Sequence, residues 1–297
     1  MSHRRNGAAM ALADVALPIV ETEREFDFTD ADFRSLVKLA HEHAGISLAE
    51  SKRNLVYSRL SRRLRALGLR SFHDYRDYLA ANSAELESFI NAISTNLTKF
   101  FREPHHFEHL RANVAASFAQ AAVRGSGARL RIWSAGCSSG EEPYTIAAVL
   151  RREIPDLQRY DVRILATDID TEMIARGARG IYPSAAIGDV PHTYREFFQS
   201  VGADRSGTFV MSEALRSLIA FRRLNLMDPW PFSGKFDAIF CRNVMIYFDA
   251  STKSALIDRF AQQLHHGGWL YIGHSESLIG SHPQLDLVGR TTYRRIQ

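Results

Sequence analysis

Apolar residues recur at helical spacing through the first hundred residues of the chain. One stripe lies between Thr29, which can cap a helix, and Gly45, which can end one; it comprises Phe33, Leu36, Val37 and Ala40. A second stripe ends at Gly68 and comprises Val56, Leu60, Leu64 and Leu67. Ser71 and Ser83 each precede an acidic residue and are predicted to start two more helices. An all-helical unit over residues 26–90 follows from this pattern.

The hydrophobic pattern changes after the Gly-Ser-Gly tripeptide at 125–127. Short apolar runs, predicted as strands, alternate with helical stretches and cover 130–134, 162–167, 236–241 and 269–273. This alternation predicts a parallel sheet covered by helices. Residues 183–225 break the rhythm, and 208–211 and 219–222 are predicted to pair as a small antiparallel insertion at the sheet edge.

These patterns divide the chain into four segments. Residues 1–25 are predicted to form a flexible arm, 26–90 the helical domain, and 91–127 a linker with a further helix. Residues 128–297 are predicted to form the α/β domain, with the β-insertion at about 183–225.

Composition narrows the class of protein. The 297 residues are 45% hydrophobic and 24% charged, as in ordinary globular proteins, and their length favours two compact units. The net charge of +4 permits an acidic partner without identifying it. No apolar run approaches the ~18 residues of a membrane span, and two cysteines cannot build a disulfide framework. We therefore expect a cytoplasmic protein that does not insert into a membrane, and a monomer.

A turn of small residues follows the first predicted strand and opens a helix that begins with Glu141 and Glu142. Carboxylates at this helix start disfavour a phosphate ligand and suit a ligand with an ammonium group. Asp168, at the end of the second strand, can accept hydrogen bonds from ribose hydroxyls. An adenosine with a cationic amino-acid tail, S-adenosylmethionine (SAM), fits both features. In the alternative interpretation, the glycines form only a tight turn and Asp168 only caps the next helix.

Five stretches of the chain together resemble one family, the CheR-type chemotaxis receptor glutamate O-methyltransferases. They are residues 95–107, 133–144, 166–170, 236–248 and 273–277. The resemblance runs from about residue 26 to the C-terminus. It implies a class I SAM-dependent methyltransferase (Rossmann-like) domain with a small antiparallel β-subdomain insertion, preceded by an all-helical N-terminal domain. It also implies that the helix in the 91–127 linker contacts the cofactor.

The resemblance also implies roles for individual residues. Tyr247 is expected near the transferred methyl group, with Arg102 as the second catalytic residue. Gly136 and Cys137 stand where the family pattern leads us to expect residues such as alanine. The residues implied to contact SAM or its product S-adenosylhomocysteine (SAH) are Asn96, Thr98, Arg102, Glu142, Asp168, Asn225, Leu226, Cys241, Arg242 and Asn243.

The implied substrate is a glutamate side chain on the cytoplasmic helices of a chemoreceptor, which would become a methyl ester. A glutamate carboxylate is already ionised at neutral pH, so its attack on a methyl group needs no general base. Arg59, Arg62 and Arg63, on the basic second helix, are the candidates for docking the acidic receptor helix. The alternative for this helix is an ordinary solvated face.

Two rival functions stay open at this point. A nucleic-acid methyltransferase would also use a basic surface, but the segment from Arg242 to Tyr247 lacks the Asn/Asp-Pro-Pro-aromatic loop common in amino-methylating DNA enzymes, so no nucleic acid is expected. The second rival is a catalytically silent SAM-binding adaptor. His105, His106 and His109 have no acidic or cysteine partner at ligand spacing, so we expect a structural role for them and no metal.

Overall fold

The computed structural model describes residues 24–124, 128–200, 207–278 and 280–297. Four helices form the N-terminal domain: α1 (Asp30–Ala44), α2 (Arg53–Leu67), α3 (Phe72–Ala81) and α4 (Ser83–Ile93). The predicted caps of α1 are confirmed, since Thr29 and Asp32 form a reciprocal capping box and Gly45 ends the helix in the left-handed region. Gly68 and Ser71 also cap as predicted, whereas Asn82 rather than Ser83 caps the start of α4. Most of the predicted arm at 1–25 and the tripeptide at 125–127 lie outside the described residues.

The helical stripes meet in one apolar core. The side chains of Leu36, Leu60, Leu64, Phe72 and Phe89 are at most 1% exposed there. A continuous helical stretch then leads to the second domain, from α5 (Pro104–His109) through one π-helical segment (Leu110–Ala115) into α6 (Ala116–Arg124).

The second domain is built on a seven-stranded sheet flanked by helices. In chain order its elements are β1 (Arg129–Ala135), α7 (Glu141–Glu153), β2 (Asp161–Asp168), α8 (Thr171–Arg179), β3 (Ile181–Pro183), β4 (Phe198–Ser200), β5 (Thr208–Met211), α9 (Glu213–Arg216), β6 (Ile219–Arg223), β7 (Phe236–Cys241), α10 (Ala250–Gln263), β8 (Leu264–Ile272), β9 (Leu285–Gly289) and β10 (Thr292–Arg295). The order across the large sheet is β6-β2-β1-β7-β8-β10-β9. Strands β6, β2, β1, β7 and β8 run parallel, and β10 and β9 add an antiparallel edge. The predicted Rossmann-like class is confirmed.

The predicted pairing within the insertion is partly wrong. A small antiparallel sheet exists, but its order is β3-β5-β4, so β5 pairs with strands on either side of it in the chain. Residues 219–222 belong instead to β6, which pairs in parallel with β2 at the edge of the large sheet. Short apolar runs fit either arrangement, and only the long-range register with β2 decides between them.

The helical domain is held against the carboxyl ends of the parallel strands by hydrogen bonds. The backbone N–H of Ser47 donates to the carbonyl of Tyr247 at 2.7 Å, and the Asn225 amide donates to the carbonyl of His43 at 2.8 Å. Asn91 on α4 donates to the hydroxyl of Thr171 at the start of α8. This contact covers the edge of the sheet where ligands bind in open α/β folds. None of the helices in the described ranges has the length and apolar character needed to cross a bilayer.

Candidate functional site

A cavity of about 530 Å³ lies between the helical domain and the carboxyl ends of β1, β2 and β7. This is the switch point of the sheet, because the chain passes from β1 to β2 on one side and later adds β7 on the other. Its volume falls within the range of small-molecule sites. Apolar side chains from the helical domain, including Ile46, Leu55 and Ile93, form one wall.

The turn between β1 and α7 brings backbone close to this cavity. Gly136 and Gly140 have φ values of 77° and 98°, a region that side-chain-bearing residues seldom adopt. A Cβ on Gly136 would also lie 2.3 Å from the side chain of Val244. The glycine therefore allows the β1 turn and the loop after β7 to touch.

Glu142, in the first turn of α7, places a buried carboxylate at the cavity. Ser134 donates to Oε1 at 2.7 Å and Arg242 Nη1 donates to Oε2 at 2.9 Å. Burial raises the pKa of Glu142, and the neighbouring Arg242 guanidinium opposes that rise. Each carboxylate oxygen has a further lone pair that a cationic ligand can use.

Asp168, the last residue of β2, is the second buried carboxylate. Its Oδ2 accepts the N–H of Ser138 at 2.7 Å and its Oδ1 accepts the N–H of Asp170 at 2.9 Å. Burial raises its pKa to about 6, although these backbone donors favour the ionised form. The two carboxylates thus lie beyond the carboxyl ends of the neighbouring strands β1 and β2, Glu142 at the start of α7 and Asp168 at the end of β2, and both line one cavity.

The segment that leads into α5 forms another wall. Asn96 donates to Asp170 at 2.6 Å, and Arg102 Nη1 donates to the carbonyl of Leu97 at 2.7 Å. Arg102 lies between Phe101 and Glu103, which both have positive φ. This backbone conformation turns the Arg102 side chain toward the cavity, where it stays partly exposed.

The loop after β7 closes the opposite side. Arg242 is buried and its guanidinium contacts Glu142 and Glu103 at 2.9 and 3.2 Å. Asn243 adopts a φ of 61°, and a single 3-10 turn then carries Tyr247. The hydroxyl of Tyr247 lies 3.4 Å from the carbonyl of Thr95, so the phenol spans the cavity beside the Arg102 segment.

The structure brings together nearly all of the predicted cofactor and catalytic residues. Those that line the cavity are Asn96, Thr98, Arg102, Glu142, Asp168, Asn225, Leu226, Arg242, Asn243 and Tyr247. Cys241 does not: its side chain is fully buried among apolar residues between the sheet and α10. Side chains alternate along a strand, so the residue before Arg242 faces the other side.

Sequence reasoning missed the cavity-lining residues of the helical domain, two of which are Lys52 and Leu55. Both lie near the start of α2, where the amphipathic pattern of the helix gave no sign of a ligand.

The three predicted docking arginines have different environments. Arg59 Nη1 donates to the carbonyls of Ile93 and Ser94 at 2.9 and 2.6 Å and so caps the end of α4. Arg63 forms a two-pronged ion pair with the buried Glu85. Arg62 is exposed. The basic helix face is therefore partly a structural feature of the helical domain.

The expectation that the histidines lack an acidic partner is wrong. Ligand atoms of Glu103, His105 and His106 lie within 4.8 Å of one another. Burial and then Arg242 lower the pKa of His106 to about 3, so its ring is neutral. The Arg242 guanidinium also lies 3.2 Å from Glu103, and that positive charge disfavours a metal cation at the same carboxylate.

Family comparisons cover both domains. The model for the SAM-binding domain of CheR methyltransferases matches residues 96–294, and the model for their all-alpha domain matches residues 31–94. A probable chemotaxis protein methyltransferase of Rhizobium etli is 45% identical over 86% of this chain and 96% of its own length. A chemotaxis protein methyltransferase 2 of Pseudomonas aeruginosa is 42% identical, over 91% and 95%. The Escherichia coli chemotaxis protein methyltransferase is 39% identical, over 96% and 98%.

Proposed function

The chain belongs to the CheR methyltransferase family, and on that premise we propose that it transfers a methyl group from SAM to glutamate side chains on the cytoplasmic helices of chemoreceptors. The observation that carries this proposal is the cavity beneath the helical domain, which combines two buried carboxylates with Arg102 and Tyr247. The product is a glutamate methyl ester, and SAH is released. We place this reaction in the cytoplasm, consistent with the two free cysteines, Cys137 and Cys241.

The donor set of the cavity fits SAM. Glu142 supplies a buried carboxylate for the ammonium group, and Asp168 supplies one for the ribose hydroxyls. Ile169 and Leu226 give an apolar surface for a flat ring. When bound, SAM supplies a methyl group on a positively charged sulfur, which a carboxylate can attack directly.

Arg102 and Tyr247 are proposed to orient the substrate carboxylate. Both line the cavity and are partly exposed, so they lie where a side chain from another protein can enter. Arg102 offers a guanidinium that can hold a carboxylate, and Tyr247 offers a hydroxyl donor. Because the nucleophile is already charged, their contribution is position and direction rather than proton transfer. The apolar wall of the helical domain excludes water from the reacting groups.

The receptor helix is proposed to dock along α2. Leu55 lines the cavity, and Arg62 lies seven positions later, about two turns along the same helix face. Since Arg59 and Arg63 bond within the helical domain, exposed Arg62 is the arginine best placed to meet an acidic partner. An acidic receptor helix in this position would pass the opening of the cavity.

The test uses tritiated SAM, the full-length protein and a receptor cytoplasmic fragment. We expect label on the receptor that base releases as methanol, because carboxyl esters hydrolyse in alkali and methylated amines do not. Alkali-stable label on the receptor or on DNA would favour another methyltransferase. SAH binding without turnover would favour the silent adaptor.

The docking surface is tested separately with Arg62→Glu. We expect a higher KM for the receptor, more so at low salt, with unchanged affinity for SAH. Arg34→Glu, which makes the same charge change on exposed α1, is the control. Equal KM values for these two variants would remove Arg62 from the docking surface.

A further inference from the structure

We propose that Glu276 is a positioning residue for methyl transfer: its buried carboxylate fixes the loop that carries Tyr247. This inference rests on the proposed function, since it assigns a role to the same site. Glu276 follows the last parallel strand, β8, and does not line the cavity.

The carboxylate of Glu276 accepts three backbone N–H groups. Oε2 accepts from Asn243 at 2.8 Å and from Gly273 at 2.7 Å, while Oε1 accepts from Ile246 at 3.0 Å. Glu276 itself is only 6% exposed. Two of these donors belong to the loop after β7 and the third to the strand end beside it. One side chain thus joins both ends of the Tyr247 loop to β8.

This loop needs such a partner because its own conformation is unfavourable. Asn243 has a φ of 61°, in the left-handed region that residues with a Cβ seldom occupy. The following turn spans only Met245–Tyr247, too short to satisfy its first N–H groups internally. The N–H of Ile246 therefore depends on Glu276, and Tyr247 is the next residue.

The geometry also accounts for the glycine three residues before Glu276. A Cβ on Gly273 would lie 2.6 Å from both the Asn243 amide and Oε2 of Glu276. The strand end, the carboxylate and the loop after β7 are therefore in direct contact. The segment 273–277 therefore contacts the loop that carries Tyr247, although the Glu276 side chain does not line the cavity.

A carboxylate is specifically required by this set of donors. Glutamine has a single acceptor oxygen, which can serve Asn243 and Gly273 but leaves an NH2 group facing the N–H of Ile246. Glu276→Gln should therefore release the Tyr247 end of the loop while keeping the size of the side chain. Glu276→Asp keeps both acceptors on a side chain one methylene shorter.

The first experiment measures receptor methylation at saturating SAM and receptor. We expect Glu276→Gln to lower kcat about tenfold or more, because small displacements of an orienting group are costly, and to change the SAH dissociation constant less than threefold. Glu276→Asp should recover part of the loss. Asp237→Asn is the control: its carboxylate also accepts a backbone N–H, from Arg131, but at the opposite end of β7.

The second experiment separates positioning from a merely structural role. If Glu276 acts through Tyr247, Glu276→Gln should lower kcat little further in a Tyr247→Phe background. The inference would be overturned if the fold-losses in kcat of the two single variants multiplied in the double variant, or if Glu276→Gln had the wild-type kcat. An inactive wild type would instead contradict the proposed function, so the two failures are distinguishable. Should Glu276→Gln not fold, the same cycle with Glu276→Asp decides.

Discussion

Replacing Arg63 by alanine should lower the free energy of unfolding of the helical domain while leaving the cavity intact. Arg63 Nε and Nη2 bond to the two carboxylate oxygens of Glu85 at 2.9 and 2.6 Å. Glu85 is 5% exposed, so the truncation would strand a buried negative charge. Arg62, its neighbour in the chain, is exposed and should tolerate the same change.

The size of the effect follows from the burial of the pair. Breaking a buried ion pair by removing one partner costs about 3–5 kcal/mol. The Arg63 side chain is 30% exposed, and the Tyr75 hydroxyl still donates to Glu85 at 2.9 Å, so we expect the lower end, about 3 kcal/mol. Burial, and then Glu85, raise the pKa of Tyr75, which keeps that donor protonated. For Arg62→Ala we expect a change within about 0.5 kcal/mol.

The assay is urea unfolding, in which hydrogen exchange of peptides from α2 and α4 reports the unfolding of the helical domain. Exchange is needed because Trp133, Trp230 and Trp269 all belong to the α/β domain and report only on it. A triple variant, Arg63→Met with Glu85→Leu and Tyr75→Phe, should regain much of the lost stability, since apolar groups of similar volume replace buried ion pairs well and Tyr75→Phe removes the hydroxyl that Glu85→Leu would leave without an acceptor. If the free energy of unfolding of Arg63→Ala lies within about 0.5 kcal/mol of the wild-type value, the Arg63–Glu85 pair does not stabilise the helical domain.

Three further predictions concern the cavity. Arg102→Ala should lower kcat even at saturating SAM; full recovery of the rate by excess SAM would limit Arg102 to cofactor binding. Asp168→Ala should weaken SAH binding by about 1.5–3 kcal/mol in calorimetry, and unchanged affinity would contradict the ribose assignment. With a pKa of about 6, protonation of Asp168 should weaken SAH binding about tenfold at pH 5 relative to pH 8. The pKa of Asp168 is 3.8 in the unfolded chain and about 6 in the ligand-free fold, so the fold gains stability that is fully present below pH 3.8 and is lost as the pH rises through 6. Ligand-free stability and the SAH-induced thermal shift should therefore change in opposite directions with pH.

Local features of the fold were predictable from the sequence, whereas long-range pairing was not. The Thr29 capping box and the left-handed Gly45 depend on residues a few positions apart, and both form as expected. Strand β6 was assigned to the wrong sheet because a short apolar run predicts a strand but does not indicate which strand it pairs with. Its pairing with β2 joins residues about 55 positions apart, such as Ile164 and Ile219.

In the candidate site, too, some features were predictable from the sequence and others were not. Glu142 and Asp168 both line the cavity because each lies at or shortly after the carboxyl end of a parallel strand, and the topology of the fold brings those strand ends to one edge. Cys241 was misplaced because a motif match does not say which face of a strand a residue occupies. Arg59 and Arg63 look like free surface charge in the sequence, yet their partners lie on α4, more than twenty residues away.

Four of the six non-glycine residues that have positive φ among the described residues lie around the cavity. Phe101, Glu103, Ser138 and Asn243 all have positive φ without being glycine, and each lies in or beside a segment that lines the cavity. Such conformations cost about 1–3 kcal/mol each and persist only where surrounding contacts fix them. Buried charged side chains supply such contacts at three of these residues: Arg242 pairs with Glu103, Asp168 accepts the N–H of Ser138, and Glu276 accepts the N–H of Asn243. Asp168 therefore both lines the cavity and fixes a loop, whereas Glu103 and Glu276 do not line the cavity and only hold loops in shape.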